Sequence, residues 1–289
     1  MNTSFSTITC LSFAQFLDNR LCQDAQAYFN TSSRLYYQPD TRLSGHVAYA
    51  SPFRSWVCDS GVSGALIGGV VSGSLGLGGT GQLVRGQSGM VVDYNNGRVI
   101  FPASVGTGAR ISGSYAVKEL NVYFPNQSAE RMVFTNKYAL NSRFARPITG
   151  IPPPYDMVTP CIFVTDTAAE NEPWALGGLY NTKRHISCYV MAENPAQLQG
   201  ALGSLADSLD SVFPQLPTAA WPLNVSGDYK GGSGYNWEAV KTQYCNPGTL
   251  FSITSARVSK VGDGSAMSTD QSLWLGMADI VVEKTRTLR

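Results

Sequence analysis

Five prolines fall within the fifteen residues RPITGIPPPYDMVTP at 146–160, and no other feature restricts the fold as much. Each proline fixes φ and removes a backbone donor, which neither a helix interior nor an inner strand tolerates. The stretch therefore reads as a linker, residues 147–160, between a module at 1–146 and a second at 161–289. A chain of 289 residues has room for both, each with a core that stands without metal or disulfide staples.

In the first module, residues 11–29 place Phe13, Phe16, Leu17, Leu21, Ala25, Tyr28 and Phe29 on a helical period. Ser12 and Gln15 form a candidate capping box, and Asp18, Arg20, Gln23 and Asp24 form a solvent-facing side. From about residue 35 to 138 the pattern changes to strands. MVVDYNNGRVIF predicts a hairpin in which Asn96-Gly97 supplies the two positive-φ positions of a type I′ turn. RISGSYAVKELNVYF (110–124) and RMVFTNKY (131–138) are rich in Val, Tyr and Phe and are expected in one sheet.

Residues 61–89 carry eleven glycines, and no charge occurs from Ser60 to Val84. Gly64/Gly68 and Gly69/Gly73 have the small-xxx-small spacing of membrane helix pairs, but glycines dilute the apolar residues below what a span needs. GLGGTG at 76–81 satisfies the letters of a dinucleotide loop. Only QLVRGQSG separates it from the next strand, too little for the helix that would hold a pyrophosphate. The arm reads as a pliable or hairpin segment whose apolar residues are covered on assembly. Gly64, Leu66, Ile67, Val70, Val71, Leu75 and Leu77 are the expected interface.

The second module begins with CIFVTD and HISCYVMAE, separated by the acid-rich DTAAENEPW (166–174), which reads as a solvated loop. A helix follows with Asn194 as N-cap, Pro195 at N1 and Gln197 at N3, and its apolar series Leu198, Leu202, Leu205, Leu209, Val212, Phe213 ends at Pro214. Gly200 and Gly203 each weaken it by about 1 kcal/mol relative to Ala. They are expected to admit a close backbone and join the interface set. Strands at 249–261 and 273–284 complete an α+β module with a helix on one sheet face.

Composition excludes several function classes. Lys plus Arg is 21 against 20 for Asp plus Glu, and only 14% of residues are charged, so there is no global field for nucleic acid, membrane or acidic substrate. The six cysteines are scattered without a Cys-x-x-Cys pair and read as buried free thiols. Four Asn-x-Ser/Thr sequons begin at Asn2, Asn30, Asn126 and Asn224, but MNTSFSTITCLSF has neither a basic start nor a continuous apolar run. Cytosolic synthesis is the expectation. The two histidines, His46 and His185, have no serine elbow or activated cysteine beside them, and no metal-ligand spacing occurs. No catalytic, cofactor or metal residue is expected. The plentiful aromatics fit cross-strand packing better than a stacking platform for single-stranded nucleic acid, which also needs a basic groove.

The N-terminal helix, GMVVDYNNGRVIF, AVKELNVYF, NKYALNSRF and the proline-rich connector together resemble structural proteins of tailed-bacteriophage virions, especially of the neck between head and tail. HISCYVMAENPAQLQGALGSLADSLDSVFP with its two following strands is similar to the α/β-sandwich fold of tail-terminator and related head-to-tail completion proteins. The resemblance implies a β-rich first module, a terminator-like second module and a non-enzymatic, ring-forming adaptor. Its partners would be further copies in sixfold or twelvefold symmetry and portal, connector or tail proteins. DNA would traverse the channel without sequence-specific binding, and the protein would reside in the virion. A head-decoration or receptor-binding module and a hydrolase with a dispersed site are the alternatives.

Overall fold

The computed structural model describes residues 5–67, 70–75, 79–83, 89–123, 138–140, 157–175, 178–222, 235–260 and 273–287. It is a mixed α+β protein, rich in β structure, with helix α1 (Phe5–Gln23) enclosed between two curled sheets. The first sheet has seven antiparallel strands: β1 (Tyr28–Gln38), β2 (His46–Ala50), β3 (Val70–Leu75), β4 (Gly79–Leu83), β5 (Val91–Asp93), β6 (Arg98–Pro102) and β7 (Arg110–Lys118), in the order β4-β3-β7-β1-β2-β6-β5. The second has six: β8 (Asn121–Tyr123), β11 (Cys161–Ala175), β12 (Leu179–Ala192), β13 (Val212–Pro214), β14 (Leu250–Lys260) and β15 (Trp274–Thr287), in the order β13-β14-β15-β12-β11-β8. Between β8 and β11 in sequence, β9 (Tyr138–Leu140) and β10 (Met157–Thr159) form a parallel pair.

Helix α1 begins earlier and ends earlier than the periodicity suggests. Ser12 and Gln15 are buried in its middle, so they cannot cap it. Ser12 Oγ instead accepts from the Leu216 amide at 3.0 Å. The helix stops at Gln23 because Gln26 takes a left-handed φ of 49°, and Tyr28 and Phe29 then enter β1 rather than continuing the helix. Burial nearly encircles it: Phe13, Ala14 and Leu17 share the core with Thr9, Gln15, Asp18 and Asn19. The expected solvent side is therefore wrong at Asp18. Lys118 of β7 donates to both Asp18 carboxylate oxygens at 2.6 Å. Burial opposes the Lys118 charge, and the Asp18 carboxylate outweighs it, holding the ammonium above its ordinary range.

The segment 110–124 divides between the sheets. β7 and β8 are separated by a bend at Glu119-Leu120, and β8 runs parallel to β11, Asn121 opposite Cys161. Most of RMVFTNKY lies outside the described residues, as does the linker up to residue 156. The Asn96-Gly97 hairpin forms, with Asp93 opposite Arg98, but its turn is not type I′. Only Gly97 has positive φ, at 59°, and a Cβ there would lie 2.0 Å from the Phe53 carbonyl oxygen. Residues 94–97 form a four-residue loop because the Asp93 carboxylate gathers the Asn96 amide, the Asn96 side chain and Arg98 Nε.

Helix α2 (Pro195–Ala206) starts where its cap residues put it, with Asn194 Oδ1 accepting from the Gln197 amide at 2.9 Å. It ends at Ala206, short of Pro214, because Asp210 adopts φ 61° and Val212–Pro214 becomes an edge strand. α2 packs on β15, β12 and β14, and the close approach occurs at Gly276 of the sheet. A Cβ there would stand 2.9 Å from Leu198 and 3.0 Å from Leu202. A short helix α3 (Trp237–Tyr244) follows, capped by Asn236. DTAAENEPW is no loop: it continues β11 through a hairpin with β12, from Cys161↔Met191 to Ala175↔Leu179.

Five cysteines are buried and Cys245 is exposed, so the expectation of buried thiols fails at one position. Burial pushes Cys10 up from 9.0 to about 12, and Cys22, Cys161 and Cys188 further in the same direction. The unfolded chain ionises these thiols near 9.0 while the folded protein keeps them protonated. Their contribution is complete below pH 9 and is lost as pH rises toward 12, by about 1.4 kcal/mol per unit for each ionised thiol. Lys284, lowered by burial and Arg286 from 10.5 to about 8, acts oppositely with a single proton. Urea titrations should therefore show stability falling steeply above pH 9. For the ion pair, Asp18→Ala or Lys118→Ala should cost about 3–5 kcal/mol, since each leaves a buried charge alone. Asp18→Leu with Lys118→Met should recover most of that loss in the same titration.

Candidate functional site

The outer face of the six-stranded sheet, away from α1 and α2, carries a polar trough of ≈ 670 Å³. Alternation along the strands builds it. On β12, Ile186, Cys188 and Val190 point into the core while Lys183 and His185 face outward; on β15, Ala278, Ile280 and Val282 point inward while Asp279, Val281 and Glu283 face outward. Two bulges bring the flanking strands into phase. On β11 the register shifts between Asp166 and Ala168, so that Ala168 stands opposite His185 and Glu170 opposite Lys183. On β14 it shifts between Ile253 and Ser255, setting Ser255 opposite Val281 and Arg257 opposite Asp279. Without these insertions Glu170 and Arg257 would turn to the core side.

The extra residue of each bulge is a threonine that finds a local partner. Thr167 Oγ1 donates to the His185 carbonyl at 3.0 Å, and Thr254 Oγ1 donates to Glu283 Oε1 at 3.0 Å. Glu283 also accepts from Asn181 Nδ2 at 2.9 Å, and Asp279 accepts from Ser187 Oγ at 2.8 Å. Glu172 pairs with Lys183 at 3.0 Å, whereas Glu170 has His185 Nε2 at 3.6 Å. Arg257 and Lys260, both exposed on β14, have no ion pair or hydrogen bond among the described residues. Three carboxylates and two permanent cations make the lining nearly neutral.

No group of three or more His, Cys, Asp or Glu that could hold a metal occurs among the described residues. His46 is exposed at the start of β2, its ring nitrogen 3.0 Å from the Ser44 carbonyl. A second polar cluster is sealed beneath α1. Asp59 accepts from the Gly61 and Trp237 amides at 2.8 and 2.9 Å and from Asn19 Nδ2 at 2.8 Å. Burial raises its carboxyl above the ordinary value despite those donors. At 3% exposure, Asp59 serves the joint between helix and loop rather than a ligand.

The expected interface residues divide between the two sheets. Gly64 takes φ 83°, with Tyr28 Oη 3.2 Å from where its Cβ would be. Leu66 is 45% exposed, and its amide donates to Asn30 Oδ1. Ile67 is half-buried and packs on the protomer's own core. Val70, Val71 and Leu75 lie on β3, which pairs with both β4 and β7, so this part of the glycine-rich arm is a sheet hairpin rather than an unstructured spacer. Leu77 is outside the described residues with the first half of GLGGTG, whose second half begins β4. Gly200 and Gly203 are on the outward side of α2 with nothing within 4 Å of a Cβ, so no backbone among the described residues approaches them. The trough residues were missed, although the alternation K-x-H-x-S and D-x-V-x-E opposite apolar ICV and AIV positions marks them.

No helix among the described residues is long and apolar enough to cross a membrane. No protein-family model matches the chain, and no curated protein is similar to it. Glu283→Ala should cost about 1–2 kcal/mol, because Asn181 and Thr254 both lose their acceptor. Arg257→Ala and Lys260→Ala, which remove no bond among the described residues, should each change stability by less than about 0.5 kcal/mol. Thermal unfolding of the three variants checks the contrast.

Proposed function

We propose that the protein is a structural subunit of a tailed-phage virion, a ring-forming adaptor in the neck that joins the head to the tail. The observation that carries this reading is the pair of open edges on the six-stranded sheet. Among the described residues, β8 covers β11 only at Cys161–Phe163, and β13 covers β14 only at Leu250–Ser252. Long open edges are templates for further strands, and a closed ring of identical subunits covers them all. The weakly charged composition and the nearly neutral trough also suit a channel wall that DNA passes without being gripped, since duplex affinity comes mainly from clustered phosphate contacts. The role is structural rather than enzymatic, and the partners are further copies and the adjoining portal, connector or tail proteins.

A head-decoration or receptor-binding role has one observation in its favour. At the end of the β11–β12 hairpin, Trp174 is 66% exposed and Leu179 is 40% exposed, as an anchor for another protein would be. Sedimentation and negative-stain imaging of the purified chain distinguish the two. The adaptor should form closed rings of about six or twelve copies as concentration rises, a symmetry carried by the resemblance and by closure of heterologous interfaces. A monomer at every concentration, with neighbouring virion proteins present as well as alone, overturns the ring.

A further inference from the structure

The two open edges are complementary in direction, length, charge and face. β12 is antiparallel to both β11 and β15, and β14 is antiparallel to β15, so β14 runs antiparallel to β11. Placing two protomers side by side with their sheets continuous therefore brings β11 of one against β14 of the next in antiparallel order, the same alternation that runs through the middle of the sheet. The open part of β14 is Ser255–Lys260, SARVSK. The open part of β11 is bounded by the bulge at Thr167 and by Pro173, which has no N–H to offer a neighbour. That leaves Thr167–Glu172, a stretch of the same length.

The charges are also divided. The β11 stretch carries acids and no base, and the β14 stretch carries Arg257 and Lys260 and no acid. Lys183 already occupies Glu172. Glu170 has His185 as its ion-pair neighbour and shares Lys183 with Glu172, and Arg257 has no partner among the described residues. Both face the same side of the sheet, at opposite margins of the trough. Setting Glu170 opposite Arg257 aligns Glu172 with Ser255 and Thr167 with Lys260, so the two open stretches coincide end to end.

We infer that the second copy docks by strand addition, β14 of one protomer pairing antiparallel with Thr167–Glu172 of its neighbour and Arg257 meeting Glu170 across the joint. This contact rests on the ring reading above and specifies it. The pairing is heterologous, so each protomer uses one edge of each kind and the troughs join into one continuous band around the assembly. Backbone hydrogen bonds supply the affinity and the charge pair sets the register.

Disulfide trapping tests the joint in the full chain, with the exposed Cys245→Ser as background. Glu170→Cys combined with Arg257→Cys, and as an independent pair Ala168→Cys with Ser259→Cys, should give a ladder of covalent oligomers on mild oxidation. Each single variant should give none. Charge reversal provides a second measure: Glu170→Arg or Arg257→Glu should weaken association about fivefold, the scale of one cross-strand pair, and the two together should restore it to within about twofold. Rings that assemble without cross-linking in either double variant overturn the strand joint and leave the ring reading intact. Glu170→Cys cross-linking to itself overturns it in favour of a twofold contact. A wild-type chain that never associates overturns both.

Discussion

The ion pair between Asp18 and Lys118 is the constraint on which the rest of the architecture turns. Two charges buried to within a few per cent stabilise little as a pair, because desolvation offsets most of their attraction. Their effect is on arrangement. Any packing of α1 that separates them leaves a charge in the core, so the helix is fixed in both rotation and height against β7. Its other contacts follow from that setting. Phe16 stacks on Phe213 at 5.2 Å, Ser12 receives the Leu216 amide, Asn19 reaches Asp59, and Arg20 donates to Ser211 at 2.8 Å. The polar residues of α1 are thus ties to four different segments rather than a wetted face.

What the sequence conveyed depended on distance along the chain. The start of α2 was readable because Asn194, Pro195 and Gln197 act within one turn, and the hairpin at Asp93–Arg98 because its strands are adjacent. The long strands β14 and β15 were readable from β-branched and aromatic content. The burial of α1 was not, since Asp18 looks like a surface acid until a lysine one hundred residues later supplies the reason to bury it. The Asp166–Trp174 piece misled for a related reason. Its acids and Pro173 resemble a loop, but an edge strand with one solvated face tolerates the same residues.

The trough had the opposite character: its signal was present and was passed over. Outward residues on β12 and β15 alternate with apolar ones at period two, which is legible by inspection. The positions of Glu170 and Arg257 were not legible, because each depends on a single inserted threonine whose effect is to exchange the two faces of everything beyond it. Here the site is composed by irregularities in otherwise regular strands, and pattern counting cannot locate an irregularity before the partner strand is known.

The enclosure of α1 has a consequence for the order of biosynthesis. The helix is made before either sheet, yet it has no complete surroundings until β7 and then β11, β12 and β13 have followed, and the sheet beneath it closes only with β15. Neither sheet can finish its core without a helix that the other also claims. Folding dominated by such distant contacts is slow, and the growing chain must carry its apolar faces and open strands exposed until β15 has been made. The chain is therefore at its most adhesive before its last strand is in place, when the same edges that suit a neighbouring copy are still uncovered on every side.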